Sequence, residues 1–542
     1  YISSVEIENF RAFKEKTIFH FNPGVTVLIG ENDCGKSTVI DAIRYVLGTT
    51  DQTWQRVELS DYYQENTQNE IHITVVFSDL TIQEKAAFME CLTYTKSEEI
   101  LILNWTAKYM TNVKPHRTFV SINCGRNGDV SAPSAEAREL LRVTYLKPLR
   151  DAQAQMRSGR SSRLAQILSS VPDLNTGERE YREGIDINKL SLAGIFDLSN
   201  HLLANHEKIK GVNQGISDIL NAELMLSSDA VQTEITVSGD GNTDEKKIHS
   251  LLEKLDLNIQ RDSESNYGHV GLGTSNLMSM ACEMLLNQDD KELSTFMLIE
   301  EPEAHIHAQR QLKLIQSMQN KGKNQQIILT THSPLLASVV ELNNLLLIQN
   351  RKAFSMRAGE TLLDASDYKY LERYLDATKA NLFFARGVII VEGPGEALLL
   401  PTLANLLHRN LTDYGVSIVD VKSTGLRRYA RIFQRKNGDE INIPVSCITD
   451  RDVMPDCAPA ICIDETYDKE ENWPKKNRKW KVESEITDKE KYIHEIEEKA
   501  NGQKVKTFIP EQWTLEYEMA ANGLGEEMLE TIATLRAAEL KS

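Results

Sequence analysis

No uninterrupted apolar run in this chain reaches the roughly 20 residues that a membrane-spanning helix needs. No charged-then-apolar leader opens it either. The first residue is Tyr1 rather than Met, so residues are expected to be missing ahead of it. None of the seven cysteines (Cys34, Cys91, Cys124, Cys282, Cys447, Cys457 and Cys462) forms a CxxC pair, and Cys457 and Cys462 have no histidine nearby. A zinc site is therefore disfavoured, and reduced thiols in a cytoplasmic protein are expected. A surplus of positive charge is also lacking: 61 basic side chains face 79 acidic ones, for a net charge of −18. Proteins that only coat nucleic acid are usually basic. The balance argues against passive DNA binding, yet it suits an enzyme whose acids hold metal and whose basic patches are local. Sustained heptads are missing too, which excludes a long coiled coil.

What is present fits a globular protein of more than one domain. The chain has 542 residues, 41% hydrophobic and 26% charged, and single cores rarely grow past about 250–300 residues. Two basic runs are candidate phosphate contacts: Arg157, Arg160 and Arg163, and then Arg427, Arg428, Arg431, Arg435 and Lys436. A solvated helix face explains each run equally well.

Val5 to Phe10 alternates like an edge strand, and Val25 to Ile29 reads as a buried one. The second delivers the chain into Gly30-Glu31-Asn32-Asp33-Cys34-Gly35-Lys36-Ser37, a GxxxxGKS phosphate-binding loop. Its glycines let successive backbone N–H groups turn inward onto phosphate oxygens. Lys36 then reaches the β- and γ-phosphates, and the Ser37 hydroxyl ligates Mg²⁺. A helix from Thr38 to Leu47 points its N-terminus at the phosphates. Gly30, Asn32, Asp33, Cys34, Gly35, Lys36, Ser37 and Thr38 are thus the expected ATP-binding set.

A strand-rich stretch follows (70–77, 100–109 and 117–122) and reads as an antiparallel lobe. From about Ser162 to Ala230 apolar residues recur three and four apart, as in a helical insertion. Gly268 to Asn276 is a glycine-rich loop opening a helix from Leu277 to Leu286. Phe296-Met297-Leu298-Ile299-Glu300-Glu301-Pro302-Glu303 is an apolar strand ending in acids, the layout of a Walker B strand. Ile327 to Thr331 is a further buried strand, ending at His332. In this order Glu300 is suited to hold Mg²⁺ or its water, Glu301 to polarise the attacking water, and His332 to bond the γ-phosphate. Gly271, Gly273 and Ser275 are suited to offer N–H groups and a hydroxyl to a γ-phosphate held by an opposing subunit.

Two more strands end in acids. Val388-Ile389-Ile390-Val391 runs into Glu392 and a glycine-rich turn, with an apolar helix pattern from Leu398 to Leu407 behind it. Val445 to Thr449 runs into Asp450-Arg451-Asp452. Open α/β sheets place their ligands at the carboxyl ends of strands. Three or four carboxylates gathered there repel one another unless a divalent cation lies between them. A charge-rich stretch, Asp464 to Lys499, lies beyond, and its Trp473, Lys475, Lys476, Arg478, Lys479 and Trp480 suit either a solvated loop or a DNA contact.

The ordered motifs resemble the ATP-binding-cassette ATPases of recombination and chromosome maintenance. Glu300 stands where that family usually has Asp, and Gly271-Leu272-Gly273-Thr274-Ser275 departs from the usual LSGGQ signature. Both departures, with the run Glu300 to His307, resemble one subgroup: the overcoming-lysogenisation-defect nucleases. The C-terminal third resembles a Toprim domain, in which an acid follows the first strand and Asp-x-Asp a later one. The resemblance implies further metal ligands at Glu396 and at Glu516, the latter in Thr514-Leu515-Glu516-Tyr517-Glu518, and leaves Glu518 unassigned. It also implies a late catalytic lysine, which the sequence does not place; Lys541 is the only lysine near the end.

The expected architecture is α/β. An ABC-type ATPase (1–160 and 241–380) carries a helical, dimerising insertion (161–240), and a Toprim domain follows (381–542). The expected cofactors are ATP with one Mg²⁺, and two Mg²⁺ or Mn²⁺ ions at the Toprim site, held by Glu392, Glu396, Asp450, Asp452 and Glu516. The expected activity is an ATP-regulated DNA endonuclease or nickase working by two metals. The resemblance implies a homodimer or larger homo-oligomer, a role in anti-phage defence like that of the Gabija nuclease, and a co-encoded partner protein or a retron reverse transcriptase with its msDNA. The alternative is an ATP-driven DNA clamp in repair or segregation with a structural Toprim domain. A topoisomerase would need a tyrosine nucleophile, and nothing marks one among the 17 tyrosines.

Overall fold

A computed structural model describes the chain except for residues 51–54, 97, 112–115, 148–162, 170–175, 220, 222–232, 234, 236–242, 256, 258–271, 287–294, 322–324, 423–424, 457, 459–480 and 540–542. The chain divides into two compact units. The first comprises Tyr1–Leu146, Leu293–Glu303 and His307–Ser542; the second comprises Lys147–Glu292 with Ala304–Ile306.

The first unit opens with an antiparallel sheet. In it β1 (Ile2–Glu8) lies between β2 (Thr17–His20) and β4 (Ile71–Phe77), and β4 continues to β6 (Glu99–Met110), which also pairs with β5 (Leu92–Tyr94) and β7 (Arg117–Cys124). Along β4 the side chains of Ile71, Ile73, Val75 and Phe77 are buried, the period-two pattern of a sheet with one covered face. The sequence suggests an edge strand near residues 5–10, but β1 is interior. Its second neighbour is β2, whose short Thr-Ile-Phe-His run buries Phe19 alone and so carries little apolar signal.

The second sheet has the order β12 (Lys352–Ser355), β11 (Leu345–Gln349), β3 (Val25–Ile29), β10 (Gln326–Thr330), β9 (Phe296–Glu300), β8 (Val143–Leu146). All of these pairings are parallel except β11 with β12. Every residue of β3, β9 and β10 is buried, which is why these segments read as unbroken apolar runs. The helix Lys36–Leu47 buries Val39, Ile40, Ile43, Val46 and Leu47, spaced three and four apart, in the core shared by the two sheets. Phe77 of β4 meets Phe296 of β9 edge-on in that core, centroids 5.6 Å apart.

A third sheet, entirely parallel, has the order β14 (Val416–Asp420), β13 (Gly387–Val391), β15 (Val445–Ile448), β16 (Val505–Phe508). It is tied to the ATPase strands by charge. Buried Arg435 pairs with Glu360 at 2.8 Å and donates to the Ser355 carbonyl, Lys352 pairs with Asp439 at 2.8 Å, and Arg386 pairs with Glu31 at 3.2 Å. The expected apolar helix behind Glu392 runs over Pro394–Leu406, with Leu398 and Leu406 exposed rather than packed into the unit.

The described residues of the second unit form helices and loops. Its helices are Arg163–Ser169, Leu192–Asn205, Glu207–Ile219, Asp244–Leu252 and Leu272–Leu286. The unit thus extends beyond the 161–240 stretch marked by helical periodicity, and the helix opened by the glycine-rich loop belongs to it.

Gly35 has φ +108°, and a Cβ there would stand 2.5 Å from the buried ring of Phe13. Gly35→Ala is therefore expected to lower stability by about 1–3 kcal/mol, measured as an earlier thermal or denaturant transition of the purified protein.

Candidate functional site

Parallel pairing brings the carboxyl ends of β3, β9 and β10 to one edge, where the expected nucleotide residues collect. Gly30 leaves β3 at φ +140°, Asp33 sits at φ +59°, and Gly35 caps the helix that starts at Lys36. Asn32 and Ser37 are exposed, whereas Thr38 is buried on the helix. The Lys36 ammonium lies over the loop and donates to the carbonyls of Gly30 (2.8 Å) and Glu31 (2.6 Å). Burial pulls the Lys36 pKa down, and burial pushes that of the neighbouring Cys34 thiol up.

Glu300, the last residue of β9, is 6% exposed. Burial raises its pKa, opposed by hydroxyl hydrogen bonds from Tyr145 and Ser37. Glu301 takes φ +44° and donates its N–H to the Thr330 carbonyl at 3.1 Å, while its carboxylate lies 3.6 Å from Nε2 of His332. Burial and the nearby Lys36 cation lower the His332 pKa, so a neutral imidazole is favoured at pH 7. Glu303 has a position the sequence did not signal. Its Oε1 accepts from the Thr331 hydroxyl (2.7 Å) and the His332 N–H (2.8 Å), which fixes the turn that presents His332.

Of the expected glycine-rich loop, Gly271 lies outside the described residues, while Gly273, Ser275 and Asn276 lie within the helix Leu272–Leu286, which starts five residues earlier than the sequence suggests. Gly273 faces the His305 carbonyl so closely that a Cβ would overlap it, and Asn276 donates to the Ala304 carbonyl at 3.2 Å. Ser275 is 4% exposed, and its hydroxyl has no hydrogen-bond partner among the described residues.

A second gathering of acids lies at the carboxyl edge of the third sheet. In the register Val391 faces Ile448, so the next residues, Glu392 and Thr449, meet across the strands. The Thr449 hydroxyl donates to Glu392 Oε1 at 2.6 Å. Asp450 accepts from the N–H of Leu515 at 3.0 Å, which brings in the helix Leu515–Met519 and with it Glu516. Glu516 Oε1 comes within 4.0 Å of where a side chain on Gly395 would begin, at the start of the helix that carries Glu396. Asp452 takes φ +57° and donates its N–H to the Trp513 carbonyl at 3.2 Å. Between the aspartates, buried Arg451 turns away and donates to the Glu511 carbonyl, leaving the acids facing one another.

Electrostatics reflect this crowding. The Glu392 pKa is pushed up to about 7, first by burial and then by the charges of Asp452, Asp450 and Glu396, against the opposing Thr449 bond. The Asp450 pKa is raised to about 6 by burial and by Glu396, Glu516 and Asp452. Hard oxygen donors that repel one another in this way suit a divalent cation. Among the described residues, however, no three His, Cys, Asp or Glu side chains close into a ready-made cage.

Other expected residues take structural duties. Arg427, Arg428 and Arg431 converge on the fully buried Asp367, with Arg428 at 3.1 Å, and Arg435 is held by Glu360. Glu518 accepts from the N–H of Gln512 at 2.9 Å and from the Asn522 side chain at 3.1 Å, so it stabilises the loop ahead of its helix. Arg157, Arg160, the Trp473–Trp480 stretch and Lys541 lie outside the described residues.

The sequence was compared with known families and proteins. Residues 1–147 and 149–337 match the model of an AAA ATPase domain, and residues 383–452 match that of the overcoming lysogenization defect protein-like Toprim domain. The OLD nuclease of Thermus scotoductus is 24% identical over 502 residues, 89% of this chain and 87% of that protein. Endonuclease GajA of Bacillus cereus is 23% identical over 445 residues, 79% and 72% of the two chains. The Old nuclease of Escherichia phage P2 is 22% identical over 456 residues, 78% and 73%. With an AAA ATPase match over more than half its length and a Toprim match behind it, this chain belongs to the overcoming-lysogenization-defect family of ATPase–Toprim nucleases.

Proposed function

We propose that this protein is a DNA endonuclease or nickase whose cutting depends on divalent metal and is regulated by ATP, in anti-phage defence. The observation that carries this reading is the meeting of acids from separate chain segments at one sheet edge: Glu392 and Glu396 from one, Asp450 and Asp452 from the next, and Glu516 from a third. These five carboxylates would hold two Mg²⁺ or Mn²⁺ ions, which supply an activated water and stabilise the departing oxygen of a phosphodiester. The chain's own contribution is placement. Thr449 steadies Glu392, the N–H of Leu515 steadies Asp450, and the Arg451–Glu511 bond keeps a competing cation out of the cluster.

At the nucleotide site Lys36 would meet the phosphates of ATP, Ser37 and Glu300 would hold its Mg²⁺, Glu301 would orient water, and neutral His332 would donate to the γ-phosphate. We further propose a homodimer in which each phosphate loop faces the partner copy's Gly271, Gly273 and Ser275, and a co-encoded partner protein or retron component as the trigger. DNA is the substrate in this reading.

Glu392→Ala and Asp450→Ala should each reduce plasmid cutting by at least about 100-fold while ATP affinity is kept; cutting at wild-type rates by both variants would sink the nuclease assignment. Chelation of divalent metal should stop cutting, and added Mg²⁺ or Mn²⁺ should restore it. Activity that survives exhaustive chelation would contradict the metal role. Lys36→Ala should weaken ATP binding by at least about ten-fold in a fluorescence titration, and an unchanged affinity would remove the nucleotide assignment.

A further inference from the structure

Glu300 is one methylene longer than an aspartate at the same place would be. The extra rotatable bond gives its carboxylate more positions to choose from, and a cation ligand has to be held in one of them. The chain supplies an anchor from a strand 155 residues away. In the parallel pairing of β8 with β9, Tyr145 stands opposite Leu298. Side chains alternate along strands, so Tyr145, Leu298 and Glu300 share a face. The Tyr145 hydroxyl reaches along that face and donates to Glu300 Oε1 at 2.6 Å, a length typical of a hydroxyl bonded to a carboxylate.

The anchor is itself fixed. The Arg44 guanidinium lies 3.6 Å from the centre of the Tyr145 ring. Arg44 is ion-paired with Asp41, and Asp41 with Arg11. Arg44 and Asp41 lie on the helix that begins at Lys36 and Ser37, so ring and phosphate loop are registered on one element. The tyrosine thus anchors the carboxylate that is expected to share its cation with Ser37.

We propose that Tyr145 is a positioning residue for the cation bound with the nucleotide: its hydroxyl fixes the longer Glu300 side chain in the position that Ser37 and the cation require. This role presupposes that Ser37 and Glu300 hold a nucleotide-bound Mg²⁺. It differs from simple satisfaction of a buried acid, which would affect folding alone.

The test is fluorescent-ATP binding by the full chain, with saturating Mg²⁺ and with EDTA, alongside thermal unfolding. Tyr145→Phe should weaken binding about ten-fold with Mg²⁺ and leave it unchanged in EDTA. Glu300→Asp removes the methylene and withdraws the carboxylate from Tyr145. In that background Tyr145→Phe should add no further loss. Equal weakening with and without Mg²⁺, no weakening, or the same loss in the Glu300→Asp background would each overturn the role. If Tyr145→Phe lowers the melting temperature, the comparison is repeated with Arg44→Met, which frees the ring but keeps the hydroxyl. A smaller Mg²⁺-specific loss supports the role, and its absence counts against it. Failure of the wild type itself to bind ATP would instead refute the nucleotide site, and the Tyr145 role with it.

Discussion

Parallel strands share one edge for all their carboxyl ends, and the chemistry of this chain depends on that constraint. β3, β9 and β10 together present Gly30, Glu300 and the turn to His332. β13 and β15 together present Glu392 and the Thr449–Asp452 turn. Neither group is close in sequence; each is assembled by register. Because the strands are buried on both faces, their edges are the places where polar side chains emerge without burying an unpaired group deep in the core.

The assembled acids are unstable as a group without something to bind. At the Toprim edge, burial and mutual repulsion push Glu392 and Asp450 well above the ordinary carboxylate range. The surrounding contacts do not cancel this charge. Arg451, the nearest cation in sequence, is turned to the Glu511 carbonyl, and one hydroxyl and one N–H are what Glu392 and Asp450 receive. Such a cluster stays uncompensated so that an incoming cation meets a strong field, at some cost to the empty fold.

Much of this was legible in the sequence because the signals were local. The glycines of the phosphate loop, the fully apolar strands and the acids at their ends are each contiguous patterns, and the strand and helix positions followed. What was not legible depends on register and burial. Tyr145 and Thr449 look like ordinary strand residues until pairing sets them beside Glu300 and Glu392. Glu303 resembled one more acid in a run, but it fixes the His332 turn. The arginines from 427 to 435 resembled a DNA-facing patch. Burial of Asp367 and the presence of Glu360 direct them inward, and neither partner lies within fifty residues of them in the chain. The interior position of β1 was hidden by the weak pattern of β2.

The Arg386–Glu31 pair connects the two edges by a short route. Glu31 is the second residue of the phosphate loop, and Arg386 immediately precedes β13, whose far end carries Glu392. Five strand residues span about 17 Å. An exposed pair of this kind contributes little to stability. It nevertheless bridges the phosphate loop and the start of the strand that leads to Glu392, and any coupling between two sites is reciprocal. Whatever nucleotide bound at Gly30–Ser37 did to cation affinity at Glu392, a cation bound at Glu392 would do in equal measure to nucleotide affinity, so any such coupling would be measurable at the phosphate loop without following cut DNA.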